Sequence, residues 1–261
     1  MSFNVKKETE NIINGIKLYF ARPENMGHKA VLGISGGKDS TVTAMLLVAA
    51  LGPDRVIGVR MPQGNQSDLS DARYICDYLE LEPWEINIDN ICKEFYKAFS
   101  EKNDDRILTN APSRIRTNIL YSIAAIHNGR VIGTSNACEN FVGYVTKGGD
   151  TVSDFNPLSH YLVSEIYKIG DYILEELWND EDDFLSELIH KTPNDGMSGI
   201  SDEAKLGVSY EDIEKFMKGK YTHLSVDTMA IIRNKYTTSR HKFNPATSII
   251  RVDDTLEDWG L

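Results

Sequence analysis

The segment Ala30-Val31-Leu32-Gly33-Ile34, followed at once by Ser35-Gly36-Gly37-Lys38-Asp39-Ser40, constrains this chain more than any other. A short run of apolar and β-branched residues reads as a buried strand. Two glycines then permit a tight turn whose N–H groups converge. Thr41 to Leu51 (TVTAMLLVAAL) is helix-forming, so those N–H groups stand at a helix N-terminus, where anionic oxygens are favoured. Asp39 sets a carboxylate in this anion-binding turn, which makes sense if a divalent cation bridges it to phosphates. The plain alternative is a strand-to-helix turn with Asp and Ser as caps. Strand, glycines, hydroxyls and acid in this order favour a nucleotide site instead.

The loop is not a Walker A loop, in which Ser or Thr follows the Gly-Lys pair to ligate magnesium. Here Asp39 follows Gly37-Lys38, and the upstream glycine is spaced differently. The segment instead resembles the SGGxDS loop of the ATP pyrophosphatases, which cleave ATP between its α and β phosphates.

Strands are expected at Lys29–Ile34, Arg55–Arg60, Trp84–Ile88 and 130–134, with a helix in each interval. An amphipathic helix carrying Val5, Ile12, Ile13, Ile16 and Phe20 opens the chain and ends near Pro23. Strand–helix alternation implies an α/β fold, a doubly wound parallel sheet flanked by helices, because parallel strands need crossovers. Ligands of such sheets gather at the strands' C-terminal ends, here Ser35, Met61 and Thr134. Further helices are expected at Ser113–His127, Ser164–Trp178, Ser209–Lys218 and His223–Arg240. Polar, glycine-rich loops fill 143–156 and 192–207, and the acidic run Asn179–Asp183 reads as a solvated turn. No repeat or low-complexity linker interrupts residues 1–261, so one domain is expected.

With 261 residues, 41% of them hydrophobic, the chain can bury a substantial core. The formal net charge of −11 argues against a surface built for nucleic acid. The opening residues lack the apolar core of a signal peptide, and no stretch approaches a membrane span. Cys76, Cys92 and Cys138 are widely spaced and form no Cys-x-x-Cys pair. Reduced thiols and a cytoplasmic location are therefore expected.

A second constellation runs from Gly133-Thr134 through Glu139 to Thr146-Lys147-Gly148-Gly149-Asp150 and Asp154-Phe155-Asn156-Pro157-Leu158. With Arg114 and Arg116, the late Leu206-Gly207 and Tyr210, and the terminal His241-Lys242, it resembles the ammonia-dependent NAD synthetases from about residue 30 to 245. The resemblance implies an adenine nucleotide α-hydrolase-like fold. It also implies ATP-driven amidation of deamido-NAD with ammonia, through an acyl adenylate, releasing AMP and pyrophosphate.

Carried over residue by residue, it places ATP at Gly33, Ile34, Ser35, Gly36, Gly37, Lys38, Asp39, Ser40, Thr134 and Asn194. Deamido-NAD falls to Arg114, Lys147, Asp154, His241 and Lys242, and magnesium to Asp39 and Glu139. The plain readings are a helix cap for Asp39 or Thr134, a first-turn acid for Glu139, and solvated cations for the rest. The ordered motifs outweigh them. Two departures stand out. Val163 occupies the position where the family often has a phosphate-facing lysine, so that duty is expected of Lys38, where the family often has Gln. Asn194 replaces the usual Thr or Ser.

The resemblance further implies a homodimer, with the opening helix and the Arg114–His127 helix as candidate surfaces. Free ammonia, or a partner subunit supplying it, is the expected nitrogen source. No residue is assigned as a base for ammonium. The rivals are a tRNA-modifying ATP pyrophosphatase, which calls for a basic strip, and a non-catalytic nucleotide sensor, which has no need of Glu139, Lys147 and Asp154 in order.

Overall fold

The computed structural model describes residues 3–66, 68–100, 104–179, 182–192 and 200–243. The chain opens with α1 (Val5–Ala21), β1 (Lys29–Gly33), α2 (Lys38–Leu51), β2 (Val56–Arg60) and α3 (Leu69–Tyr78). Next come β3 (Glu82–Glu85), α4 (Asp89–Lys97), α5 (Asp105–Ile126), β4 (Gly129–Val131) and α6 (Ala137–Val142). Then follow α7 (Val163–Tyr172), a π-helical continuation over Ile173–Trp178, α8 (Asp183–His190), α9 (Asp202–Leu206), α10 (Tyr210–Met217) and α11 (Val226–Ser239).

Among the described residues the strands form one sheet in the order β3-β2-β1-β4, with every neighbouring pair parallel. Crossovers from β1 run one way to β2 and the other way to β4, so the turn after β1 lies where the strand order reverses. Alternation along the central strands explains why both faces are covered. Ala30, Leu32, Ile34 and Val56 enter a core shared with α1, α2, α3, α7 and α8. Val31, Ile57 and Val59 enter the opposite core with Ile88, Cys92 and Ile123. The apolar residues of β1 and β2 thus meet helix-covered layers on both faces, as a parallel sheet demands. Pro83, which has no N–H to donate, lies in the edge strand β3, where that loss is tolerated.

A third apolar cluster joins α6, α9, α10 and α11 through Cys138, Val142, Leu206, Ile213 and Ile232. Glu214 of α10 ties this helical lobe to α7. Its carboxylate accepts hydrogen bonds from the Ser164 backbone N–H at 2.8 Å and the Ser164 hydroxyl at 2.6 Å. Those donors stand in the first turn of α7, where a negative charge is favoured. Cys76, Cys92 and Cys138 are all buried and free. Among the described residues no helix is long and apolar enough to cross a membrane.

β3 spans Glu82–Glu85 rather than Trp84–Ile88, β4 spans Gly129–Val131 rather than 130–134, and three helical segments also depart from expectation. α5 begins at Asp105 rather than Ser113 and carries Pro112 inside it. Proline frees the carbonyl four residues back, and the Tyr96 hydroxyl reaches that Leu108 oxygen at 3.5 Å. The acidic run does not end in a mere solvated turn: Asp182 caps α8 by accepting the Leu185 N–H at 2.6 Å. α11 starts at Val226 rather than His223, because the Ser225 hydroxyl caps it there by accepting the Thr228 N–H.

Replacing Glu214 with Ala strands both Ser164 donors in a buried site, and unfolding stability should fall by about 2 kcal/mol in urea titration. Glu214→Gln, which keeps an acceptor, should lose less.

Candidate active site

The turn after β1 is held open by its own hydroxyls. Ser35 Oγ lies 3.1 Å from Ser40 Oγ and accepts the Gly37 N–H at 3.2 Å. The hydroxyls of Ser40 and Thr41 donate to the Gly37 carbonyl at 3.0 and 2.9 Å. Among the described residues no side chain caps the start of α2, so its first amides are placed to meet an anion. Gly36 has φ +86°, and a Cβ there would meet the Asp68 carbonyl oxygen at 2.9 Å. Only glycine fits where the turn presses on the start of α3.

The turn forms one wall of a cavity of about 450 Å³ at the C-terminal edge of the sheet. Gly33 through Ser40, Thr134 and Glu139 all line it. Thus the sequence-predicted nucleotide residues from 33 to 40, together with Thr134, share one space. Asn194 lies outside the described residues.

Lys38, Asp39 and Glu139 form the charged floor. Lys38 is almost fully buried, its Nζ 2.9 Å from Asp39 Oδ2 and 5.3 Å from the Tyr210 ring centroid. Asn136 Nδ2 donates to Asp39 Oδ1 at 3.4 Å. Asn136 also makes a reciprocal cap with Glu139: the Glu139 N–H donates to its side chain at 2.9 Å, and its own N–H donates to Glu139 Oε2 at 3.1 Å. Burial, and then the nearby Asp39 charge, push the Glu139 carboxyl well above the usual range. Burial alone would lower the Lys38 ammonium, but Asp39 and Glu139 outweigh it and hold the pKa above that of an ordinary lysine. The buried Tyr210 hydroxyl has no hydrogen-bond partner among the described residues. Two neighbouring carboxylates facing one cavity suit a hard cation that prefers oxygen. Glu139 is thus both helix cap and candidate ligand, two readings that the sequence set against each other.

Four of the five expected dinucleotide residues meet in a second cluster. Arg114 Nε donates to the Lys147 carbonyl at 3.0 Å, and Lys147 Nζ to the His241 carbonyl at 2.8 Å. Lys242 Nζ donates to the carbonyls of Gly143 and Val145 at 2.7 and 2.8 Å. Asp150 fixes the intervening loop, accepting the Ser113 hydroxyl at 2.7 Å and the Thr146 N–H at 2.8 Å. Asp154 is placed differently. Its carboxylate accepts the Val131 N–H at 2.7 Å and the Tyr121 hydroxyl at 3.3 Å, completing the outer side of β4.

Some cavity residues carry no role in the sequence reading. Arg116 was noticed only for its spacing from Arg114; its Nε donates to the Met61 carbonyl at 3.0 Å beyond β2, and burial lowers its pKa. Arg60, Lys191, Tyr144 and Asp202 also line the cavity. Met61, already marked as a strand end, was the one available pointer to this wall.

The sequence matches the family described as NAD synthase over residues 8–250. The NH(3)-dependent NAD(+) synthetase of Picrophilus torridus is 32% identical over 240 residues, covering 90% of this chain and 92% of that protein. The protein of the same name from Methanocaldococcus jannaschii is 32% identical, covering 89% and 94%. Among solved structures, the NMN synthetase from Francisella tularensis matches with TM-score 0.82 and 30% identity, covering 95% of this chain and 99% of that one. The NH3-dependent NAD synthetase from Campylobacter jejuni, in complex with the nitrate ion, matches with TM-score 0.77 and 28% identity, covering 95% and 100%. The parallel sheet flanked by helices is accordingly the adenine nucleotide α-hydrolase-like fold of these neighbours.

Gly36→Ala should lower stability by about 2 kcal/mol and weaken ATP binding about tenfold or more, read by calorimetry. Unchanged ATP affinity would remove the turn from the site.

Proposed function

This chain belongs to the NAD synthase family, whose members are ligases that form carbon–nitrogen bonds, and we propose that it amidates deamido-NAD with free ammonia, converting ATP to AMP and pyrophosphate. The observation that carries this reading is the meeting of an anion-binding turn and a carboxylate pair in one cavity at the sheet's reversal point.

The nicotinate carboxylate attacks the α-phosphorus of ATP, forming the acyl adenylate as pyrophosphate departs. Charge gathers on the leaving oxygens, which the α2 amides and the Ser35 and Ser40 hydroxyls are aimed to receive. Lys38 limits the repulsion that Asp39 and Glu139 would otherwise exert on the triphosphate. Ammonia then adds to the acyl carbon, the adduct gives a proton to solvent, and AMP leaves as the carbonyl re-forms.

Magnesium fits the oxygen donors of Asp39 and Glu139, and when bound it supplies charge neutralisation to the phosphate oxygens. Arg114, Lys147, His241 and Lys242 hold the dinucleotide, whose two phosphates and carboxylate suit cationic donors. Asp154 is the remaining candidate contact. Because the Francisella neighbour is by name an NMN synthetase, the deamidated mononucleotide is a second acceptor to be assayed alongside.

We also propose a homodimer, on the family resemblance. Ile115, Ile119, Leu120 and Ile123 of α5 pack toward the sheet, whereas Ile126 of α5 and Leu18 of α1 are exposed and stay candidates for that surface. Exposed Phe95 of α4, Phe99 just beyond it and Leu108 of α5 are further candidates. Concentration-independent monomer in sedimentation would overturn the dimer.

Purified protein given ATP, magnesium, ammonium and deamido-NAD should yield NAD, AMP and pyrophosphate in equal amounts. Production of ADP and phosphate instead would overturn the reading. Asp39→Asn should cost about a hundredfold in kcat, because it removes a charge facing the transferring phosphates. Lys147→Ala should raise the KM for deamido-NAD about tenfold and leave that for ATP nearly unchanged.

A further inference from the structure

The proposed reaction needs positive charge for the outer phosphates of ATP, and Lys38 is poorly placed to give it. Its ammonium is buried against Asp39 and under the field of Glu139, with 3% of the side chain exposed, so it has little surface to offer a phosphate. Val163, at the position where a lysine was expected, is 3% exposed and packs in the helical lobe. Lys168 is exposed and does not line the cavity. Arg60 Nε is engaged by Glu85 at 3.1 Å and Arg116 Nε by the Met61 carbonyl, which fixes both guanidinium groups at the end of β2.

Lys191, just beyond α8, reaches the same cavity from another direction. Its Nζ lies 2.7 Å from Asp71 Oδ2 and 3.5 Å from Asp68 Oδ1. These acids belong to the start of α3, the segment that Gly36 touches: a Cβ on Gly36 would meet the Asp68 carbonyl at 2.9 Å and Asp71 Cβ at 3.1 Å. The lysine is therefore stationed beside the middle of the phosphate turn. Both carboxylates are largely covered, with 15% and 13% of their side chains exposed, whereas Lys191 keeps 36%. Two such acids beside an anion site repel an arriving phosphate unless a cation masks them. Lys191 is that cation. An ammonium has three donors, and these two partners leave it one for a phosphate oxygen.

We propose that Lys191 binds the β- and γ-phosphates of ATP, and hence pyrophosphate as it leaves, with Asp71 and Asp68 holding the side chain ready beside the turn. The inference rests on the proposed reaction, since it assigns a further residue to its leaving group. It also gives the two lysines separate tasks: Lys38 balances the carboxylate floor and Lys191 meets the outer phosphates.

The test titrates inorganic pyrophosphate and AMP separately, with magnesium, into the full chain by calorimetry, alongside thermal unfolding. Lys191→Ala should weaken pyrophosphate about tenfold or more, the scale of one lost charge-assisted hydrogen bond, and leave AMP within about twofold. Lys191→Arg should restore most of the loss. Lys191→Gln, which retains a donor for Asp71, should fold as the parent does and still bind pyrophosphate weakly. If folded Lys191→Gln binds pyrophosphate as the parent does, or if pyrophosphate and AMP weaken together, Lys191 is only a tether between α8 and α3. A parent protein that binds neither compound would instead overturn the proposed function itself.

Discussion

The site depends on a balance of charge in which Lys38 opposes Asp39 and Glu139. Two carboxylates sharing a poorly solvated corner repel each other, and burial raises the cost of ionising Glu139. A lysine on the first residue of α2 offsets that repulsion from within the phosphate turn. The corner can then hold acids without expelling them toward water, and their oxygens stay turned to the cavity. A buried pair like this contributes little net stability. Its value lies in placing oxygen donors where they would not otherwise stay.

The scaffold explains why the corner is rigid. β1 is buried on both faces, so the turn that follows it cannot drift relative to the sheet. α3 braces the turn from one side through Gly36, and Asn136 links Asp39 to the α6 cap from another. The second cluster is built differently, by side chains that reach across long stretches of sequence to backbone carbonyls: Lys147 to His241, and Lys242 to Gly143. It joins the 143–152 loop to the segment after α11, so the residues expected to meet the dinucleotide stand on segments whose positions depend on one another.

How much of this was legible from sequence followed the range of the forces involved. The phosphate turn announces itself locally, since strand, glycines and helix start lie within a dozen residues and each has its own conformational signature. The sheet followed from alternation, because apolar runs of four to six residues separated by helical lengths leave few arrangements. Asp182 was obscured: a capping acid inside an acidic run looks like any other solvated acid until the N–H it accepts is known. Pro112 hid the first turns of α5, for a proline normally marks a boundary. Arg116 and Lys191 could not be assigned, because what brings them to the cavity is the packing of α5 on the sheet and of α8 beside α3. Asp154 matched its motif, yet its neighbours reveal an architectural task at the margin of β4.

Glu139 holds a position with an implication of its own. The same carboxylate that looks into the cavity also accepts the amide that opens α6, and α6 packs into the helical lobe with α10 and α11. Drawing that oxygen toward an incoming ion loosens its grip on the first helical turn, and protonating it does likewise. The cavity floor and the packing of the helical lobe thus meet in one side chain, and a change at either is felt by the same short helix.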